Sequence, residues 1–166
     1  MKKTRTWPHR LGAAAAVALT AGSGRRSTDP ESKWYLELEK PSWQPPRWAF
    51  PVVWTSLYTD IAAVSGQVLA QTKQAGDEQG YKEYARQLAA NLVLNAGWSR
   101  TFFKSHKLGP AAAVAVGLAV SSARLSKTAG KHGRPLGLAL KPYVAWTVFA
   151  AILSFEIWRL NPDSGE

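Results

Sequence analysis

The chain has no cysteine, so no disulfide framework, thiol nucleophile or cysteine-based metal site is available to it. Its three histidines, His9, His106 and His132, stand apart in basic, polar surroundings without ligand spacing, and no metal is expected. No acid–base pair or nucleophile stands out to support ordinary catalysis. Acidic residues are scarce as well, 11 against 21 Lys and Arg for a net charge of +10. The positive excess is broken into clusters between apolar runs: Lys2, Lys3, Arg5 and Arg10; Arg25 and Arg26; Lys104 and Lys107; Arg124, Lys127, Lys131 and Arg134. Charge at the ends of apolar segments points to a lipid bilayer as partner rather than nucleic acid. Uncharged runs reaching the ~20 residues of an ideal spanning helix are also missing. Mean hydropathy is slightly negative, which keeps a soluble helical bundle as a rival. Against that rival, residues 111–123 lack the continuous polar face that a soluble helix needs.

What the chain does have is tryptophan and proline, concentrated in one place. Residues 34–58 hold Trp34, Trp43, Trp48 and Trp54, four of the eight tryptophans, with Pro41, Pro45, Pro46 and Pro51, four of the ten prolines. Pro45 and Pro46 forbid a continuous helix there, so the spacing predicts a stiff, partly extended connector and a helix starting near residues 48–51. Such a connector suits a lid or wall of a flat aromatic pocket, or else a loop packed on a core.

Before the connector, residues 11–23 are short, alanine-rich and preceded by basic residues. A cleavable signal peptide has this form; the alternative is a first helix over residues 10–28. In residues 48–71 the one charge is Asp60, and Phe50, Trp54, Leu57, Tyr58 and Ile61 recur at helical spacing. A carboxylate at the centre of an inserted helix costs about 2.5–3.5 kcal/mol, so Asp60 is expected to pair with a cation or an amide inside a bundle. Residues 71–86 read as a polar loop, followed by a helix over 88–103 that places Asn91, Asn95, Trp98 and Phe102 on one face. Those amides either bond neighbouring helices or face a ligand. Residues 108–123 carry Gly109, Ala113, Gly117 and Ser121 every fourth position, a stripe for close helix approach within the chain or in a homodimer. A basic loop over 124–134 precedes a last helix over 136–160, where Trp146, Phe149, Ala150 and Leu153 share a face. Near its end Glu156 pairs, if with anything, with Arg159. The basic residues weigh slightly toward an N-terminus on the inner side.

The run WYxxLxKPxWxPP at residues 34–46, followed by FPVVWTSLY, LNAGWSRTFF and PYVAWTVFAAILSFEIWRLN, resembles the TspO/MBR family of tryptophan-rich sensory proteins and translocator proteins. The likeness covers residues 34–161 in order. It implies an all-α membrane protein with a bundle of five transmembrane helices and a Pro/Trp-rich loop between helices one and two. It also favours the first helix over the signal peptide. The expected organisation is a basic tail over 1–10, the membrane domain over 11–161 and a short tail over 162–166, in a multi-pass protein of a bacterial-type envelope membrane.

The resemblance further implies a pocket for tetrapyrroles, protoporphyrin IX or haem, held as ligand with no resident cofactor. The connector would supply Trp34, Tyr35 and Trp43, and the second helix Phe50, Trp54 and Tyr58. Asn91, Asn95 and Trp98 would come from the third helix, and Trp146, Phe149, Ala150 and Leu153 from the fifth. Lys33, Lys40 or Arg47 could meet the ligand's carboxylates. Burying about 400 Å² of a macrocycle returns about 10 kcal/mol gross, and association costs of about 4–15 kcal/mol leave modest, micromolar-type binding. The implied roles are a receptor or sensor that aids tetrapyrrole movement, or alternatively a light-dependent porphyrin-degrading enzyme using Trp34, Trp54 and Trp146. Sterol is the weaker partner. The family's sterol-associated pattern wants a tyrosine where Phe155 stands between Leu153 and Arg159. Ser154 also stands where many relatives have Asn.

Overall fold

Prolines and caps set most helix boundaries. The computed structural model describes residues 7–162, and the helices found there are α1 (Trp7–Ser27), α2 (Lys33–Glu37), α3 (Ala49–Gln74), α4 (Glu78–Phe103), α5 (Leu108–Lys131), α6 (Arg134–Ala139) and α7 (Lys141–Leu160). Lys2, Lys3, Arg5 and the tail after Pro162 lie outside the described residues, as do the side chains of His9, Arg10, Arg25 and Arg26. Pro51, Pro110, Pro135 and Pro142 all fall in first turns, where a missing N–H costs nothing. The Ser32 hydroxyl accepts from Tyr35 N–H to cap α2, and Asp77 Oδ1 accepts from Gly80 N–H at 2.8 Å to open α4.

Three expectations about the connections need correction. The polar stretch 71–86 is mostly helix: α3 runs through Gln74 and α4 opens at Glu78, leaving a three-residue turn with Gly76 at φ 70°. Lys, Gln, Glu and Arg are good helix formers whose side chains here face outward, so polarity alone does not make a loop. The same holds at 124–131, where α5 continues with Arg124, Lys127 and Lys131 exposed while Leu125, Ser126, Thr128 and Ala129 are buried. The last helix is two pieces, α6 and α7, meeting at Leu140. In addition, the connector begins with the helical turn α2 and is irregular only over residues 38–48.

The first helix belongs to the bundle. Ala13 and Val17 are buried against Leu57, Ile61 and Val64 of α3 and Leu92 of α4 in one apolar cluster. α5 packs on α4, α6 and α7. Its small-residue stripe is used mainly inside the chain: Gly109 lies under the Trp158 ring, Gly117 faces Leu94, and Ser121 accepts from Asn91, while Ala113 is exposed. Two glycines make the closest approach. A Cβ on Gly137 of α6 would sit 2.8 Å from Gly130 Cα of α5, and Ser126 Oγ donates to Gly137 O across the same contact at 2.9 Å.

The outside of the bundle is apolar at mid-helix. Leu11 and Leu19 (α1), Val93 (α4), Val116 and Val120 (α5), and Val148, Ile152 and Phe155 (α7) are all exposed. On the outer side of α3 the hydroxyls of Thr55, Ser56 and Thr59 bond back to the carbonyls of Pro51, Val52 and Thr55 at 2.7, 3.1 and 2.9 Å. No water is needed to satisfy them. By length and composition, Leu108–Lys131 and Arg134–Leu160 are apolar enough to cross a membrane.

Candidate functional site: a connected run of aromatic rings

The helical spacing of Phe50, Trp54 and Tyr58 puts three rings on the face of α3 that meets α4 and α7. Trp54 is the hub. Its ring centroid lies 5.5 Å from Tyr58, 6.1 Å from Trp98 of α4, and 6.5 and 6.4 Å from Tyr143 and Trp146 of α7. The rings continue in both directions. Trp146 contacts Phe50 at 5.8 Å and Phe149 at 5.1 Å, and Phe149 takes the edge of Trp43 from the connector at 5.9 Å. On the other side Trp98 meets Phe102 at 6.2 Å, which meets Trp34 at 5.8 Å and Tyr35 at 6.2 Å. Most contacts are tilted or edge-on, the arrangement that ring quadrupoles favour. Ala150 and Leu153 are buried on α7, and Leu153 clusters with Tyr35, Leu38 and Phe102.

The polar groups divide the amides. Asn91 spends its capacity inside the bundle: Oδ1 accepts from Tyr143 OH at 2.7 Å, and Nδ2 donates to Ser122 at 3.0 Å and Ser121 at 3.3 Å. Asn91 is therefore a helix-bonding residue. Asn95 differs. Its Oδ1 accepts from Tyr58 OH at 2.7 Å, while its Nδ2 is buried without a partner. Trp146 Nε1, on a ring in contact with Trp54, is also buried and unpartnered. Trp98 Nε1 is satisfied by Ser154 Oγ at 3.0 Å. Two buried donors, one on a ring against Trp54 and one on the partner of Tyr58, lack an acceptor, and each such group costs about 1–3 kcal/mol until one arrives.

The connector is pinned at two points near its start, one in the α2 turn and one just after it. Asn161, just past α7, accepts from Glu39 N–H at 2.8 Å and donates to the carbonyls of Glu39 and Ile157, each at 2.8 Å. Trp34 stacks on His106 at 4.0 Å, and His106 adopts φ 55°, a conformation that side chains other than glycine avoid. Asn161→Ala is expected to cost about 1–2 kcal/mol in thermal unfolding. Amide exchange over residues 38–48 should rise with it, and unchanged exchange there would show that Asn161 is not the clasp.

Of the cations considered for a ligand's carboxylates, Lys33 pairs with Glu37 at 3.7 Å. Lys40 donates to Leu38 O at 2.7 Å and lies 4.7 Å from the Tyr35 ring centroid. Partial burial, and then the Arg47 charge, pull the Lys40 ammonium below its ordinary pKa. Arg47 is exposed and has no ion pair among the described residues. The pairing expected for Asp60 is not found: its Oδ2 is buried with no hydrogen-bond partner. Glu156 does bond to Arg159, at 3.0 and 2.6 Å.

Four residues of this region escaped the sequence reading. Tyr143 carried a usable signal, because it precedes Trp146 by three and so shares its face. Ser154 stands out in the sequence only as a departure from relatives, and Asn161 only as the residue after the last helix. His106 gave no signal, since its role comes from a loop fold.

The pattern characteristic of the TspO/MBR family matches residues 11–159. Protein CrtK of Rhodobacter capsulatus is 37% identical over 131 residues, 78% of this chain and 79% of its own. The tryptophan-rich protein TspO of Chlorobaculum tepidum is 36% identical over 136 residues, covering 80% and 82%. The human translocator protein is 31% identical over 157 residues, covering 93% and 91%. With its connected run of rings, proline-braced connector and matched length, the chain belongs to the TspO/MBR family of sensory and translocator-type membrane proteins.

Proposed function

We propose that the protein crosses the membrane with α1, α3, α4, α5 and α7 and binds a flat tetrapyrrole, protoporphyrin IX or haem, between the connector and the aromatic faces of α3, α4 and α7. The five helices have 20 to 26 residues, and at 1.5 Å per residue each reaches the roughly 30 Å of a hydrocarbon core. The apolar exterior favours lipid over water around them, which weighs against a soluble bundle. The observation that carries the ligand reading is the unbroken run of rings through Trp54, with the unpartnered donors of Asn95 and Trp146 beside it. A conjugated macrocycle supplies planar surface for stacking, and its polar edge supplies acceptors. Arg47 is the cation left to meet a propionate. Receptor or sensor action, with tetrapyrrole movement, follows from reversible binding in such a slot.

The test is a titration of detergent-purified protein with protoporphyrin IX, following tryptophan quenching in the dark. Saturable quenching at micromolar ligand is expected, weakened about tenfold in Trp34→Ala and Trp146→Ala, the loss of one stacking ring. Quenching that never saturates, or that both variants leave unchanged, would reject the slot. The contacts of Trp54 with Trp98 and Trp146 also favour a second reading, photodegradation of the bound porphyrin. Illumination of the same samples separates the two: bleaching that Trp54→Phe or Trp146→Phe abolishes would make the protein an enzyme.

A further inference from the structure

The end of the bundle where α3 turns into α4, and α5 into α6 and α7, is rich in basic residues. Lys73, Lys82, Arg86, Arg124, Lys127, Lys131, Arg134 and Lys141 stand there against three acids, Asp77, Glu78 and Glu83. Along the first turns of α4 lies an open groove of about 640 Å³, lined by Glu78, Gln79, Lys82, Glu83, Arg86 and Gln87. Its two acids are already engaged by neighbouring helices. Lys73 of α3 forms a salt bridge with Glu78, and Lys131 of α5 lies 4.0 Å from Glu83. Gln87 Nε2 also donates to Glu83 at 3.2 Å, which leaves Gln87 Oε1 buried with no donor. Lys82 and Arg86 are exposed and have no ion pair among the described residues. The groove therefore presents two uncompensated cations and one acceptor in need of a hydroxyl or N–H.

The helix surface below the groove completes the pattern. Lys82 and Arg86 are one turn apart, and the same stripe of α4 continues as exposed Ala89, Ala90 and Val93. Val93 lies seven residues beyond Arg86, about 10 Å along the axis at 1.5 Å per residue. Cationic, hydrogen-bonding side chains followed by a bare apolar stripe match a molecule with a phosphate and hydroxyl at one end and hydrocarbon at the other.

We propose that this groove is a binding site for an anionic phospholipid bearing a hydroxylated headgroup. Lys82 and Arg86 take the phosphate, Gln87 Oε1 accepts from a headgroup hydroxyl, and the acyl chains lie over Ala89, Ala90 and Val93. The site is separate from the aromatic slot and rests on membership of a membrane-protein family, not on the tetrapyrrole reading. Arg124 and Lys127 add to the attracting field without being needed for contact.

Native mass spectrometry of the detergent-purified protein, titrated with phosphatidylglycerol or phosphatidylcholine of matched chains, tests the site. Wild-type protein is expected to retain one phosphatidylglycerol in preference to phosphatidylcholine. Each cation removed should weaken that preference about fivefold, as expected for a charge near a lipid phosphate, so Lys82→Gln/Arg86→Gln erases most of it. The charge-keeping Lys82→Arg/Arg86→Lys pair should retain it, and so should Lys104→Gln/Lys107→Gln at the opposite end. Gln87→Leu should narrow the difference between phosphatidylglycerol and phosphatidic acid. Equal lipid retention by the neutralised pair, or equal loss in the opposite-end pair, would overturn the proposal. Displacement of the lipid by millimolar inorganic phosphate would mean a plain anion site and would overturn it too.

Discussion

Trp54→Ala is expected to remove protoporphyrin quenching almost entirely and to lower stability by about 3 kcal/mol, the lower end for truncating a large ring in a core. Four rings from three helices surround it: Tyr58, Trp98, Tyr143 and Trp146 all lie within 6.5 Å. Its loss removes the ring contacts of α3 with α4 and α7, and the cavity left behind is held open because Tyr143 is fixed to Asn91. Trp54→Phe keeps a ring in the same place and should retain most of the stability and at least a tenth of the affinity. Thermal unfolding in detergent and the quenching titration, made on both variants, separate the two losses. If Trp54→Ala unfolds like wild type and binds protoporphyrin as tightly, the slot is not organised around this ring.

The second large effect is expected far from the slot. Gly137→Ala places a Cβ 2.8 Å from Gly130 Cα and 3.0 Å from both Gly130 N and Ser126 O. These are backbone atoms of α5 and cannot swing aside as a side-chain tip would. The helices must separate by a few tenths of an ångström, which also stretches the Ser126 Oγ to Gly137 O bond. A cost of about 1–3 kcal/mol is expected for such overpacking. Gly76→Ala gives a contrast, because nothing lies within 4 Å of its Cβ position and only its φ of 70° is unfavourable. That substitution should cost about 1 kcal/mol. Melting temperatures of the two variants in one detergent check the ranking, and a milder effect of Gly137→Ala would mean that α5 and α6 do not touch so closely.

The aromatic faces were legible because they depend on short-range geometry alone. Side chains three and four apart share a helix face whatever the fold, so Phe50, Trp54 and Tyr58, or Trp146, Phe149 and Leu153, could be grouped from spacing. Proline chemistry likewise placed the irregular stretch and the start of α3. The loops at 71–86 and 124–134 were misread for the opposite reason: polar residues are compatible with helix, and whether they fold depends on what the helix packs against. The division between Asn91 and Asn95 was hidden altogether. Both recur on one face of α4, yet one is saturated by Tyr143, Ser121 and Ser122 and the other keeps a free donor.

By itself, the order of residues determined the helical character, the proline-braced connector, the family and the list of rings able to meet. All of these follow from periodicity, local backbone limits and residue type. Only the tertiary structure decided that the rings do meet through Trp54, that the small residues of α5 serve packing within the chain, and that Asp60 lacks the partner expected for it. Those outcomes depend on rotations and offsets between helices. Contacts between residues tens of positions apart set them, and no single segment encodes those contacts.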